Sequence, residues 1–256
     1  MKIVVKIGTS TLAHSTGRLN IRQVTELCKT LSDIKNAGND IILVSSGAIG
    51  MGVGKLNLKS RPSDMPTKQA AAAVGQCELM YTYDRLFADY GHTVGQILLT
   101  RQDIENEKSH NNFKNTINRL LELQVLPIVN ENDTVSTEEL GIGDNDTLAA
   151  QVAVTVKADL LILLSDIDGL YTCDPHKDPN ARLLSRVENI TPEILAFGDD
   201  KFSELGTGGM RTKLHAALIA TQAGSDMVIT NGANAESLYD IINGADIGTR
   251  FIGRKD

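Results

Sequence analysis

Unbroken apolar runs of three to five residues recur along the chain, with helix-length stretches between them. Ile3-Val4-Val5, Ile41-Ile42-Leu43-Val44, Val125 to Val129, Leu160 to Leu164 and Met227-Val228-Ile229 each read as a strand, and Val94 to Leu99 as another. A strand that is apolar at every position is covered on both faces, which is the situation of a parallel sheet. From Ile21 to Ala37 the apolar residues fall at Ile21, Val24, Leu27, Cys28, Leu31 and Ile34. That is one face of a 3.6-residue repeat, and Gly38-Asn39 stops it. Further helices are expected at about 67–87 (opened by Met65-Pro66), 112–123, 147–156, 212–223 and 235–242. The fold class that follows is α/β, a mainly parallel sheet with helices on both faces. The polar, proline-containing stretch 174–186 reads as an excursion over the surface.

Which ligands such a sheet serves is narrowed by composition. The 256 residues carry a net charge of -7, with 41% hydrophobic residues. No basic stripe interleaved with aromatics is present, so no nucleic-acid partner is expected. An acidic chain that handles phosphates has to concentrate positive charge locally, which makes each lysine beside glycine informative. Cys28, Cys77 and Cys173 are odd in number and form no C-x-x-C. That spacing suits neither a disulfide framework nor a zinc site and fits a reducing compartment. The N-terminus lacks the pattern of a signal peptide, and no apolar run has membrane-spanning length. A cytoplasmic location without a membrane partner is expected.

The common phosphate-binding devices fail on spacing. Gly47-Ala48-Ile49-Gly50-Met51-Gly52-Val53-Gly54-Lys55 is glycine-rich, but a P-loop ending there needs glycine at Ile49 and Ser or Thr at Leu56. A G-x-G-x-x-G fails from Gly50, where the last position is Lys55, and from Gly206, where it is Arg211. Neither a G-x-S-x-G elbow nor H-E-x-x-H occurs.

Five other polar segments follow strands or precede helices, where the crevice of an open α/β sheet lies. Lys6-Ile7-Gly8-Thr9-Ser10 combines a point charge with a glycine that lets backbone approach a phosphate. Its plainer reading is a strand end. Ser45-Ser46-Gly47-Ala48-Ile49 sets small residues at a helix start, either an anion site or a simple cap. Asn130-Glu131-Asn132-Asp133 and Gly143-Asp144-Asn145-Asp146-Thr147 are dense in carboxylates and amides, suited to an ammonium group or Mg²⁺. The plainer alternative is a solvated loop with Asp144 or Asn145 as a cap. Ser165-Asp166-Ile167-Asp168-Gly169 faces the crevice, with a β-turn expected on Asp168-Gly169. Gly206-Thr207-Gly208-Gly209-Met210-Arg211-Thr212-Lys213 runs glycines, hydroxyls and a lysine into a helix, the strongest phosphate signal in the chain.

In this order the segments resemble those of the amino acid kinase family, and the resemblance spans essentially the whole chain. It is nearest to members that phosphorylate the γ-carboxylate of L-glutamate on the way to proline. Aspartokinases read K-x-G-G-T near the N-terminus, whereas here Thr9 follows Gly8 directly. The resemblance implies a single domain, 1–256, with a three-layer αβα sandwich around the sheet. The acceptor amino acid would lie in about 1–150 and ATP in about 151–256. It implies Lys6, Lys213 and Asp146 as catalytic residues, the lysines flanking the transferred phosphoryl and Asp146 holding them. Ser46, Asp133 and Asn145 would hold the acceptor, with Asp133 at its ammonium. Lys6, Gly8, Ser165, Asp166, Thr207, Gly208, Gly209, Met210, Arg211, Thr212 and Lys213 would hold ATP. Gly8 and Gly47 would donate backbone N–H groups to phosphate oxygens. Mg²⁺ would accompany ATP, with its protein ligands, if any, unassigned. L-Proline is implied as a feedback inhibitor and a homo-oligomer as the assembly. Many glutamate-acting members carry a C-terminal PUA domain, and a chain without one is expected here. Two other readings remain open at this point. One is a kinase of another small anion, such as aspartate, N-acetylglutamate, carbamate or a nucleoside monophosphate. The other is a non-catalytic amino-acid or nucleotide sensor.

Overall fold

The computed structural model describes residues 1–14, 16, 18–136, 144–175, 177–198 and 209–254. In chain order the strands are β1 (Lys2–Ile7), β2 (Asp40–Val44), β3 (Val94–Leu99), β4 (Leu126–Glu131), β5 (Leu160–Ser165), β6 (Arg186–Val187), β7 (Asp226–Asn231) and β8 (Thr249–Phe251). The longer helices are α2 (Ile21–Asn36), α3 (Ala48–Lys55), α4 (Met65–Ala88), α6 (Glu107–Glu122), α7 (Asn145–Val156) and α9 (Met210–Gln222). The short ones are α1 (Thr9–Leu12), α5 (Arg101–Glu105), α8 (Pro192–Ala196) and α10 (Ser237–Ile242).

The strands form one eight-stranded sheet in the order β3-β4-β2-β1-β5-β7-β8-β6. The six from β3 to β7 are parallel, and β8 runs antiparallel to β7. Side chains alternate between the faces. From β1, Val4 enters one core with α6, α7 and α9, around Ile117, Leu148 and Leu214. Ile3 and Val5 enter the other with α2, α4 and α10, around Leu31, Leu79 and Leu238. Helix layers on both faces explain why the strands read as continuous apolar runs. The expected three-layer sandwich is the observed one.

The chain moves outward from β1 in both directions, to β2, β4 and β3 on one side and to β5 and β7 on the other. The carboxyl ends of β1, β2, β4 and β5 therefore border one crevice at the point where strand order reverses, the place where open α/β sheets bind ligands.

Several elements depart from expectation. The helix expected at 112–123 starts at Glu107, where Asn106 accepts a hydrogen bond from the Ser109 N–H (3.0 Å) as its cap. Its polar first turn hid it from a reading based on apolar spacing. The glycine-rich segment after β2 is the helix α3, in keeping with the helix start expected at 45–49. A Cβ on Gly52 would sit 1.8 Å from the Ala71 carbonyl oxygen, and one on Gly75 1.8 Å from that of Ala48. These glycines bring the backbones of α3 and α4 into contact. The β-turn expected on Asp168-Gly169 does not close: the Leu170 N–H donates to Thr249 Oγ1 (2.8 Å) instead of turning back to Ile167. Gly169 serves that crossing, since a Cβ there would lie 2.5 Å from Thr249 Oγ1.

Candidate active site

Asp146 sits in the first turn of α7 and is 1% exposed. Lys6, at the end of β1, places Nζ 2.6 Å from Asp146 Oδ1. Lys213, in the first turn of α9, places Nζ 3.2 Å from Oδ2. Thr212 Oγ1 donates to the same Oδ2 at 3.2 Å. Burial alone would push the Asp146 carboxyl up, but the Lys6 and Lys213 ammonium groups beside it hold it below the usual carboxylate range. One buried carboxylate thus carries two ammonium groups, leaving the trio a net positive charge. Two ammonium groups converging on one buried carboxylate make a positive spot at the crevice.

The three arrive from three elements because each strand or helix ends at the crevice. Gly8 follows β1 and caps α1, and a Cβ there would lie 3.6 Å from Lys6 Nζ. Glycine keeps the space beside that ammonium open. Gly47 caps α3 with φ +88°, a left-handed conformation that suits glycine. Gly209 caps α9, so the positive end of that helix dipole lies beside Lys213.

A second group lies at the ends of β2 and β4. Asn145 Nδ2 donates to Ser46 Oγ (2.8 Å), the Ser45 carbonyl (3.0 Å) and Asn130 Oδ1 (3.3 Å). Asn145 Oδ1 is buried with no hydrogen-bond partner among the described residues. Asp144, expected as a possible cap, does cap α7, accepting from the Thr147 N–H at 2.8 Å. Asp133 lies in the turn after β4. Burial pushes its carboxyl up to about 6, the Glu131 carboxylate adds to this, and Arg61 opposes it. None of the hydrogen bonds among the described residues joins Asp133 to Asn145 or Ser46.

On the other side of the trio a cleft of about 470 Å³, counting its open mouth, is lined by Ser165, Asp166, Leu170, Tyr171, Met210 and Lys213, among others. Ser165 is buried and its hydroxyl donates to the exposed Asp166 carboxylate (3.1 Å). Lys213 belongs to both places, since it lines this cleft and pairs with Asp146. Arg211 is exposed and absent from the lining among the described residues. Thr207 and Gly208, like Gly206 and Gly143, lie outside the described residues.

The sequence reading missed the apolar walls of the cleft. Pro175, from the stretch taken as a surface excursion, and Phe197 both line it. Gln76, whose Oε1 accepts from Asn130 Nδ2 at 2.8 Å, was missed as well. A single glutamine inside a helix carries no sequence signal.

A mainly parallel sheet with an ammonium-paired carboxylate at its switch point, between a cluster of amides and an apolar-walled cleft, fits a phosphotransferase of small molecules. The chain belongs to the amino acid kinase family, which it matches over residues 1–231. It is 51% identical to the glutamate 5-kinase of Clostridium perfringens, over 99% of this chain and 96% of that one. It is 53% identical to the glutamate 5-kinase of Clostridium tetani, over 97% and 93%. Its fold is also that of carbamate kinase from Giardia lamblia bound to AMP-PNP, with TM-score 0.70 and 18% identity, covering 99% of this chain and 98% of that one.

Proposed function

We propose that the chain transfers the γ-phosphoryl group of ATP to the γ-carboxylate of L-glutamate, giving γ-glutamyl phosphate and ADP, the first step toward proline. The observation that carries this reading is the buried Lys6–Asp146–Lys213 trio between two ligand spaces. Its support is the identity of about half to glutamate 5-kinases over nearly the full chain.

A carboxylate oxygen of the acceptor attacks the γ-phosphorus, and the bond from that phosphorus to the β–γ bridging oxygen breaks. ADP leaves with the electron pair. No proton has to be removed, because the attacking carboxylate is ionised at neutral pH. The protein therefore contributes positioning and neutralisation of charge. Lys6 and Lys213 flank the moving phosphoryl group, and Asp146 fixes both ammonium groups before it arrives. Gly8 and Gly47 offer backbone N–H groups to phosphate oxygens. Asp133 takes the acceptor's ammonium together with Asn145, and Ser46 helps to hold the amino acid. Ser165, Asp166, residues 207–210, Thr212 and Lys213 hold the nucleotide. The first part of the chain, to about 150, makes the acceptor side, and the remainder makes the ATP side.

Mg²⁺ accompanying the nucleotide would supply neutralisation of phosphate charge. Both oxygens of Asp146 are engaged by ammonium groups, so among the described residues Asp166, exposed in the cleft lining, would be the carboxylate available to help hold the ion. Inhibition by L-proline, overlapping the acceptor near 130–143, and self-association are supported by the family resemblance.

Coupled ADP release across a panel of acceptors tests the reading. L-Glutamate is expected far above L-aspartate and N-acetyl-L-glutamate. Equal turnover of N-acetyl-L-glutamate would remove the role of Asp133 at a free ammonium. A glutamate-saturation series with millimolar L-proline tests the inhibition, and unchanged curves would refute it.

A further inference from the structure

We infer that Gln76 is a positioning residue for the acceptor amino acid, acting through the amides of Asn130 and Asn145. This rests on the assignment of the acceptor to the Asn145 pocket. Gln76 lies on α4, away from every glycine-rich segment, and is 8% exposed. Its Oε1 accepts from Asn130 Nδ2 at 2.8 Å, and Asn130 is 1% exposed.

The orientation of all three amides follows from groups that cannot change roles. A backbone carbonyl only accepts and a backbone N–H only donates. The Ser45 carbonyl therefore fixes the NH₂ group of Asn145 toward itself. The Glu131 N–H, which donates to Asn130 Oδ1 at 2.9 Å, fixes the oxygen of Asn130. That oxygen also receives Asn145 Nδ2. The NH₂ of Asn130 is then turned to Gln76 and needs an acceptor there. With Gln76 Oε1 present the three amides form one consistent chain. Asn145 Oδ1 is the atom left over, buried and unpartnered among the described residues, ready to accept from the acceptor's ammonium.

Without that acceptor, Asn130 Nδ2 is buried and unsatisfied. Turning the Asn130 amide over is no escape, because its NH₂ would then oppose both the Glu131 N–H and the Asn145 NH₂. Either outcome frees Asn145 from its single orientation. The other buried polar residue of α4 tied to this floor is Tyr83, seven residues on, whose hydroxyl shares a hydrogen bond with Ser45 Oγ (2.9 Å). One face of α4 thus reaches the pocket at two points.

The test is steady-state kinetics of Gln76→Met, similar in size but without the acceptor oxygen, with L-glutamate and ATP varied separately. The KM for L-glutamate is expected to rise about tenfold, the scale of one oriented hydrogen bond. The KM for ATP and kcat are expected to stay within about threefold. In an Asn145→Ala background the same substitution should add nothing further to the KM for L-glutamate. Gln76→Leu, which also lacks the acceptor oxygen, serves if Gln76→Met does not fold. An unchanged KM, an equal rise in both KM values, or full additivity with Asn145→Ala would overturn the inference. Wild-type protein that leaves L-glutamate untouched would instead sink the substrate assignment, and the coupling would then be read with whichever acceptor the panel returns.

Discussion

Asp146 has both carboxylate oxygens engaged by lysines, and the consequences differ for chemistry and for stability. Asp146→Asn leaves two ammonium groups, with side chains 11% and 8% exposed, short of their counter-charge. Removing one partner from a buried pair costs about 3–5 kcal/mol. Because the folded carboxyl titrates below its unfolded value, its stabilisation is complete above about pH 4 and is lost as pH falls through the folded value. The variant should therefore be less stable at neutral pH and lose less on acidification, as urea titrations at pH 7 and in acid would show. Lys213→Ala should lose mainly kcat, by roughly a hundredfold or more, because its contact strengthens as charge develops on the transferred oxygens. Asp133→Ala should raise the KM for L-glutamate with a smaller effect on kcat. A near-normal kcat in Lys213→Ala beside a lost kcat in Asp133→Ala would exchange the two ends of the crevice. Asp133 has the opposite sign from Asp146. Its carboxyl is raised to about 6, so below that pH it is neutral and gives an ammonium no partner. The kcat/KM for L-glutamate should fall as pH drops through about 6, and that limb should vanish in Asp133→Asn.

At the level of elements, the close contact of α3 and α4 would put the proposed acceptor site under the control of packing. Gly75→Ala would drive a methyl into the Ala48 carbonyl oxygen at the start of α3, beside the Gly47 cap. Overpacking of this kind costs about 1–3 kcal/mol, and here both contacting parts are backbone. We expect a lower urea midpoint for Gly75→Ala at an unchanged m-value, together with a raised KM for L-glutamate. A midpoint equal to wild type would mean that the helices separate freely. What the sequence reveals divides along the same line. Continuous apolar runs announce buried strands, and Lys6, Asn145, Asp146 and Lys213 are legible because each sits in a polar segment at an element end. The contact of Gly52 with Ala71 is not legible, since a glycine that admits a neighbouring backbone looks the same as one that makes a turn. Gln76 is hidden for a related reason: its importance lies in what Asn130 requires, 54 residues away.

In the whole molecule, one sheet carries both proposed ligand spaces. β1 lies at its centre, paired with β2 on one side and β5 on the other. Periodicity alone reveals strands and helices but not strand order, because order is set by pairings distant in sequence. The Lys2 N–H donates to the Asp159 carboxylate at 2.7 Å across 157 positions. That span bears on how the chain is made. β1 is complete at Ile7, but its second partner begins only at Leu160. At ribosomal rates of about 5–20 residues per second, the edge that β5 will cover stays bare for many seconds while the intervening chain emerges. For that interval the middle of the finished sheet is an apolar, unpaired border of a nascent fragment, open to pairing with a neighbour on the same polysome. The strand that later presents Lys6 to Asp146 is thus the one that most needs shielding during synthesis.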